Sequence, residues 1–195
     1  MADYGKRYED CTLDSFDAGS DPSALEASQD LVEGRIAGLL LYGSVGNGKT
    51  HLCVGVGRAY ERPAVNEEFI DEHGYRKVRT IPERTVEYWP VLAFARALRE
   101  AAGGNGPSPV YPCLNAGLLI FDDWGAERTT DFVLEALEDI VTERYRQMKP
   151  MMITSNFSLE QIVERYGERA LSRWAHDGRI VQMSGRDRRP ERGAK

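Results

Sequence analysis

The chain has 195 residues, of which 42% are hydrophobic and 29% are charged, and it carries a formal net charge of −6 with a pI of about 5.2. This size and composition predict one domain around one substantial core, and the acidic balance argues against a protein that coats nucleic acid through an overall positive field. No apolar run approaches eighteen residues and no signal-peptide pattern opens the chain, so we expect a cytoplasmic protein without a membrane partner.

The first predicted elements are a helix, a strand and a second helix. Periodic apolar residues after Asp21-Pro22 predict a helix over 23–34. The apolar run 36–42 has the length of a buried strand, and residues 50–60 can continue as a helix. A strand followed by a loop and a helix is the context that a phosphate-binding loop requires.

Between that strand and that helix, residues 43–50 read GSVGNGKT, which matches the phosphate-binding pattern G-x-x-x-x-G-K-[ST]. Glycines allow backbone conformations that turn successive N–H groups toward phosphates, and the helix N-terminus favours an anion. Lys49 is expected to reach the β- and γ-phosphates, and Thr50 to offer its hydroxyl to Mg²⁺. We therefore expect ATP or GTP to be bound by Gly43, Ser44, Val45, Gly46, Asn47, Gly48, Lys49, Thr50 and His51.

The cysteines and histidines indicate no second kind of metal site. Cys11, Cys53 and Cys113 are widely spaced and odd in number, which fits reduced thiols better than a disulfide framework or a zinc site. The three histidines are equally scattered. The expected ion is therefore Mg²⁺, carried with the nucleotide.

The middle of the chain is predicted to hold an insertion before the alternation of strands and helices resumes. Residues 61–84 are polar and contain turn residues, which predicts an irregular insertion or a small hairpin. Its acidic and basic residues are mixed, so its charge does not decide between a protein contact and a DNA contact. A strand over 85–89, a helix over 90–102 and a loop over 103–112, rich in Gly, Asn and Pro, are predicted to follow.

A second apolar run, 117–121, predicts a strand that is buried on both faces and ends in Asp122 and Asp123. At the carboxyl edge of a parallel sheet these acids face the phosphate loop. Asp122 is expected to hold Mg²⁺ through water, and Asp123 to orient or deprotonate the attacking water, a position that many NTPases give to glutamate. Because aspartate is one methylene shorter, we expect slow hydrolysis.

The last third of the chain is also predicted to alternate between helices and strands. The predicted elements are a helix over 130–147, a strand over 151–154, a helix over 159–166 after a Ser158 cap, a helix over 168–175 and a strand over 180–183. In the first of these helices, helical spacing predicts a set of core residues: Phe132, Leu134, Leu137, Ile140, Val141 and Tyr145. At the tip of the strand over 151–154, the amide of Asn156 is expected to bind the γ-phosphate or the attacking water.

Five segments, in this order and at these separations, resemble the AAA+ ATPases of the DnaC/IstB type, a group of helicase loaders and transposition ATPases. The segments are GSVGNGKT (43–50), LLIFDDWGAE (118–127), ITSNFS (153–158), RALSRW (169–174) and GRDRR (185–189). The resemblance implies an α/β P-loop fold: a three-layer αβα sandwich with a mostly parallel five-stranded sheet and a small or absent C-terminal lid. It also implies a lead-in segment and helix over 1–35, an AAA+ domain over 36–189 and a basic tail over 190–195.

The same resemblance implies an ATP-dependent homo-oligomer with ATP at the joint between subunits. Arg173 then resembles the arginine finger that is offered to a neighbour's nucleotide, with Arg169 as the alternative. Arg189 resembles the residue that senses the nucleotide from the far side. A planar, permanently charged guanidinium suits both roles, because it stabilises charge that spreads over the γ-phosphoryl oxygens.

The implied function is that of an ATP-driven assembly factor in DNA replication, with a replicative helicase or a recombinase as its client. Only residues 1–35 precede the first core strand, so we expect the helicase-gripping extension of such loaders to be absent. Single-stranded DNA is the implied second ligand, and Trp124, Arg128, Tyr88 and Trp89 could supply stacking and cationic contacts.

Three alternatives stay open. The first is a transposition ATPase of the IstB type that acts with a transposase. The second is a small P-loop phosphotransferase, although no arginine-rich lid segment lies between the paired acids and Asn156. The third is a nucleotide-binding scaffold with little turnover, because Asp123 stands where a glutamate is usual.

Overall fold

The computed structural model of the chain describes residues 2–70, 72–81, 83–126, 130–168, 172, 176–185 and 187, with only the backbone described at Arg79 and Ile81. Its strands are β1 (Gly38–Gly43), β2 (Val65–Ile70), β3 (Arg76–Ile81), β4 (Val86–Pro90), β5 (Leu118–Trp124), β6 (Met151–Ser155) and β7 (Gly178–Met183). Five of them form a sheet of order β4-β5-β6-β1-β7, in which every neighbouring pair is parallel. The predicted five-stranded sheet is confirmed.

The helices cover both faces of this sheet. They are α1 (Pro22–Glu33), α2 (Lys49–Tyr60), α3 (Val91–Ala102), α4 (Val110–Asn115), α5 (Asp131–Arg146) and α6 (Leu159–Tyr166). Helices α1 and α2 pack on one face, and α3 to α6 contribute to the apolar cluster on the other. The result is the predicted three-layer αβα sandwich.

The central strands are apolar throughout because both of their faces are covered. Leu39 and Leu41 of β1 join the cluster under α1 and α2, whereas Leu40 between them joins the cluster on the opposite face. All three leucines have 0% exposure. A continuous apolar run, rather than an alternating one, is the pattern expected of a parallel strand between two helical layers.

The predicted element boundaries agree with the observed ones to within a few residues. Ser158 caps α6 as expected: its hydroxyl accepts from the N–H of Gln161, and the Gln161 side chain accepts from the N–H of Ser158. For the segment 61–84 an irregular insertion or a small hairpin was expected, and the structure shows the hairpin. Strands β2 and β3 pair antiparallel, and a further bridge joins Arg62 and Arg84.

Two sequence predictions are wrong. Phe132 is 47% exposed, because the buried face of α5 begins at Val133, which is 0% exposed. The loop predicted over 103–112 gives way to α4, which begins at Val110 in a segment rich in turn residues. The strand predicted to end in Asp122 and Asp123 extends one residue further, to Trp124.

Some predictions fall on residues that the structure does not describe. Most of the helix predicted over 168–175 lies outside the described residues, and so does the segment from 188 onward where a lid would be sought. Among the described helices, none is long and apolar enough to cross a membrane.

Candidate functional site

The loop between β1 and α2 has a backbone that only glycine can supply at three positions. Gly43, Gly46 and Gly48 have φ angles of 133°, 87° and 102°. A Cβ on Gly43 would lie 2.3 Å from the carbonyl oxygen of Met183. The Asn47 side chain, which is 0% exposed, donates to that same carbonyl over 2.9 Å and so ties the loop to the end of β7. The loop is therefore shaped and anchored by its own residues.

Lys49 lies inside this loop and not in solvent. Only 6% of the residue is exposed, and its Nζ donates to the carbonyl oxygens of Gly43 and Ser44 over 2.8 and 2.7 Å. It also donates to Oδ1 of Asn47 over 3.0 Å. The lysine thus places a positive charge at the centre of a ring of backbone groups.

Asp122 lies directly across from the start of α2. Its Oδ1 accepts from the Thr50 hydroxyl over 3.3 Å and from the Thr154 hydroxyl over 2.5 Å. The Tyr88 hydroxyl donates to the other oxygen, Oδ2, over 3.0 Å. With 5% exposure, this carboxylate is fixed by donors from three separate elements, α2, β4 and β6.

The Cys53 thiol is a further donor to Asp122, with Sγ 3.7 Å from Oδ1. Burial, and secondly the charge of Asp122, raises the pKa of Cys53 well above its usual value. Burial raises the pKa of Tyr88 in the same way, again with the Asp122 charge as the next cause. Both groups therefore keep their protons at neutral pH and remain donors to the carboxylate.

Asp123 is turned out of the regular strand. The pairing of β5 with β6 shifts register between Phe121 and Trp124, and Asp123 has a φ of 60°, a left-handed conformation that Asp tolerates better than most residues. Its N–H donates to the Thr154 hydroxyl over 3.0 Å, and the Asn156 amide donates to its Oδ1. The irregularity lets Asp122 and Asp123 face one cavity, although neighbouring strand residues normally face opposite sides.

That cavity has a volume of about 780 Å³. The phosphate loop, the two acids, Thr154 and Asn156 line it on one side, and the N-terminal residues Arg7 and Tyr8 line it on another. Its size is within the roughly 300 to 1,000 Å³ that is usual for small-molecule sites.

The structure brings together most of the residues that the sequence singled out: the loop 43–50, Asp122, Asp123 and Asn156. His51 is adjacent, but its Nε2 lies 2.9 Å from the Thr12 carbonyl and 3.1 Å from the Ser15 hydroxyl. Its ring therefore faces the N-terminal segment, which leaves its backbone as the part nearest the loop. Arg128, Arg169, Arg173 and Arg189 lie outside the described residues.

Three residues with contacts to Asp122 had no role at this site in the sequence analysis. Thr154 and Cys53 were assigned to a strand tip and a helix, and only their contacts reveal them. Tyr88 was considered as a stacking platform for DNA, but its hydroxyl is engaged with Asp122. Trp124, a second stacking candidate, is 3% exposed and packs in the core against Phe121 and Tyr166.

No protein-family model and no curated protein matches this chain, but solved structures do. The DnaC helicase loader superimposes with a TM-score of 0.69 at 24% identity, over 92% of this chain and 100% of that one. DnaI superimposes with a TM-score of 0.69 at 18% identity, over 96% and 95% of the two chains. The replication initiator DnaA, bound to AMPPCP and single-stranded DNA, gives 0.68 at 22% identity, over 93% of this chain but 51% of that one.

These likenesses confirm the predicted fold. The chain has the α/β architecture of AAA+ P-loop domains such as those of DnaC, DnaI and DnaA. It spans nearly the full length of the DnaC and DnaI structures and about half of the DnaA chain.

Proposed function

We propose that the protein binds Mg-ATP in the loop 43–50, hydrolyses it slowly, and acts in DNA replication as an assembly factor of the helicase-loader type. The observation that carries this proposal is the placement of the Thr50 hydroxyl 3.3 Å from the Asp122 carboxylate, beside a glycine loop that encloses Lys49. Residues 72 positions apart meet there, and a hydroxyl beside a carboxylate supports a metal that accompanies bound phosphates.

The loop is suited to a polyphosphate. Its three glycines at positive φ allow the backbone N–H groups to converge, and the N-terminus of α2 adds the positive end of a helix dipole. Lys49 already donates to two loop carbonyls, and its flexible stem lets the same ammonium turn to phosphate oxygens. DnaA, a structural neighbour, binds the ATP analogue AMPPCP.

The residues across the cavity are suited to Mg²⁺. The Thr50 hydroxyl and the Asp122 carboxylate are adjacent hard oxygen groups, and Mg²⁺ is usually bound by one or two such groups together with phosphates and water. When bound, Mg²⁺ would neutralise charge on the β- and γ-phosphate oxygens. We assign Thr50 as a direct ligand and Asp122 as a ligand through water.

We propose that Asp123 and Asn156 act on the attacking water. We assign Asp123 as the group that orients this water or accepts its proton, with Asn156 beside it to sense the γ-phosphate. The Asn156 amide donates to the Asp123 carboxylate. The short aspartate side chain supports slow turnover, which suits a switch better than a motor.

We infer that ATP promotes self-association and that a neighbouring subunit completes the site with Arg173, or alternatively with Arg169. Arg189 would contact the nucleotide from its own subunit. An arginine supplied in trans makes hydrolysis depend on assembly, because the site is incomplete in an isolated subunit.

A replicative helicase and single-stranded DNA are the partners we infer, and the cytoplasm is where this protein would meet them. DnaC is a helicase loader, and DnaA has been captured on single-stranded DNA. A transposition ATPase of the IstB type, acting with a transposase or recombinase, is the alternative within the same fold. A small phosphotransferase is a more distant alternative.

Size-exclusion chromatography with light scattering tests the proposal. Wild-type protein with a non-hydrolysable ATP analogue and Mg²⁺ is expected to form a larger species, and an oligonucleotide to stabilise that species further. Lys49→Ala should stay at its nucleotide-free size under every condition. A protein that remains a monomer with the analogue and consumes ATP only with a small acceptor would instead be a phosphotransferase.

The arginine assignment has its own test. Arg173→Ala is expected to retain nucleotide binding and to lose turnover. If Arg173→Ala hydrolyses ATP normally in an assembled state, Arg173 is not the arginine supplied by the neighbouring subunit. Arg169 would then be the remaining candidate.

A further inference from the structure

Both oxygens of the Asp122 carboxylate accept hydrogen bonds. Oδ1 accepts from Thr50 at the start of α2 and from Thr154 on β6, whereas Oδ2 accepts from the Tyr88 hydroxyl on β4 over 3.0 Å. The bonds to Oδ1 restrain rotation of the carboxylate about its Cβ–Cγ bond at one oxygen only. Tyr88 adds the donor on the opposite oxygen, which fixes the direction in which the carboxylate presents its lone pairs.

In this contact the Tyr88 hydroxyl is the donor and the carboxylate oxygen of Asp122 is the acceptor.

A second tyrosine, Tyr4, packs against the ring of Tyr88. The rings of Tyr4 and Tyr88 lie 5.1 Å apart between centroids at an interplanar angle of 60°. A Cβ on Gly57 of α2 would lie 2.2 Å from the Tyr4 hydroxyl, so glycine is needed there for the N-terminal segment to approach the helix. Arg58 on the same helix donates to the carbonyl oxygens of Tyr8 and Glu9, which ties this segment down.

From these contacts we propose that Tyr88 is a positioning residue for the metal site: its hydroxyl aims Asp122 at the Mg²⁺ that accompanies ATP. This inference rests on the proposed function, because it assumes that Asp122 serves a bound Mg-ATP. Hydrogen-bonding partners behind a metal ligand typically change metal affinity or activity by about 10- to 100-fold when they are removed. Because Asp122 is assigned to hold the metal through water, we expect the lower end of that range.

Two Tyr→Phe substitutions at neighbouring rings give a matched test. Tyr88→Phe removes the hydroxyl that donates to Asp122, whereas Tyr4→Phe removes a buried hydroxyl that has no hydrogen-bond partner among the described residues. A fluorescent ATP analogue is titrated in EDTA and at a series of Mg²⁺ concentrations. Tyr88→Phe is expected to raise the half-saturating Mg²⁺ concentration about tenfold and to leave binding in EDTA unchanged, and Tyr4→Phe to match the wild type in both.

The other results separate the inference from the proposal beneath it. If the wild type needs Mg²⁺ and Tyr88→Phe needs no more of it, Tyr88 does not position the metal, and the proposed function stands. An equal shift in both variants, or weaker binding of Tyr88→Phe in EDTA, indicates general packing and also overturns the inference. A wild type that binds no nucleotide overturns the proposed function itself.

A double-mutant cycle supplies a second measurement. In the Asp122→Asn background, Tyr88→Phe is expected to have no further effect on the Mg²⁺ requirement, because its only route to the metal has been altered. A full additional tenfold shift in that background would show that Tyr88 acts elsewhere. Thermal melting of each variant checks that it is folded.

Discussion

The two ends of the parallel sheet each hold a buried cation against backbone carbonyls, but the two cations differ in what lies beside them. At the end where the strands finish, Lys49 donates to Gly43 and Ser44 and borders a cavity of about 780 Å³ with two carboxylates across it. At the end where the strands begin, Arg144 of α5 is 0% exposed. It donates over 2.7 to 3.3 Å to the carbonyl oxygens of Cys113, Ala116, Gly117 and Pro150.

The comparison shows that a buried cation does not by itself mark a ligand site. The two terminal nitrogens of the Arg144 guanidinium donate to the segments that lead into β5 and β6, so this side chain joins those segments. Burial lowers the pKa of Arg144 to about 10, which still leaves the guanidinium charged at neutral pH. Lys49 carries a compact charge on a flexible stem at a cavity wall, so the same kind of contact can be exchanged for a ligand.

The largest expected effect concerns stability at the end where the strands begin. Arg144→Leu removes a charged donor from four backbone carbonyls, of which that of Pro150 keeps the N–H of Leu119. We expect it to lower the free energy of unfolding by about 3–4 kcal/mol. Urea denaturation followed by circular dichroism measures this. Arg146→Leu, two residues along the same helix in an exposed pair with Glu143, should unfold like the wild type. Equal effects of the two substitutions would contradict the structural role of Arg144.

The next effect is on binding, at the other end of the sheet. Lys49→Ala is expected to weaken Mg-ATP binding at least about 100-fold, or about 2.7 kcal/mol. It should also lower the free energy of unfolding, but by less than Arg144→Leu, because the vacated acceptors border a cavity that admits water. Fluorescence titration with an ATP analogue measures the affinity. Suppose instead that Lys49→Ala unfolds the protein, and that Arg144→Leu stays folded but binds nucleotide more weakly. The binding role and the structural role would then have been assigned to the wrong ends of the sheet.

A smaller effect separates chemistry from binding within the nucleotide end. Asp123→Asn removes the proposed base but keeps the side-chain shape, so we expect turnover to fall about 10- to 100-fold and affinity for the ATP analogue to stay as in the wild type. Phosphate release in steady state measures turnover. Unchanged turnover would show that another group activates the water.

The smallest effect sharpens the contrast between Lys49 and a second lysine that donates to a backbone carbonyl. Lys149 donates from Nζ to the Leu114 carbonyl over 2.7 Å near Arg144. Lys149→Ala should lower the free energy of unfolding by about 1 kcal/mol, the usual value of one hydrogen bond, and leave nucleotide affinity unaltered. A loss of affinity in this variant would show that the effect of Lys49→Ala is not specific to the loop.

The elements that the sequence predicted well are those with a local physical cause. The glycine loop, the apolar strands and the Ser158 cap each follow from their own residues. Where polar groups border an apolar run, the end of the strand is harder to predict: β5 continues one residue past Asp122 and Asp123, and both acids have hydrogen-bond partners at this edge of the sheet. Tyr88 and Arg144 could not be assigned because their partners come from distant segments, and a lone tyrosine or arginine is usually at the surface.

Isothermal titration calorimetry of Mg-ATP into the wild-type protein tests the central claim most directly, since that claim is that a triphosphate binds in the loop 43–50 with its metal held by Thr50 and Asp122. We expect a saturable heat that fits one nucleotide per chain, weakens when EDTA replaces Mg²⁺, and disappears in Lys49→Ala. No heat with the wild type, or the same binding curve with Lys49→Ala, would contradict the account.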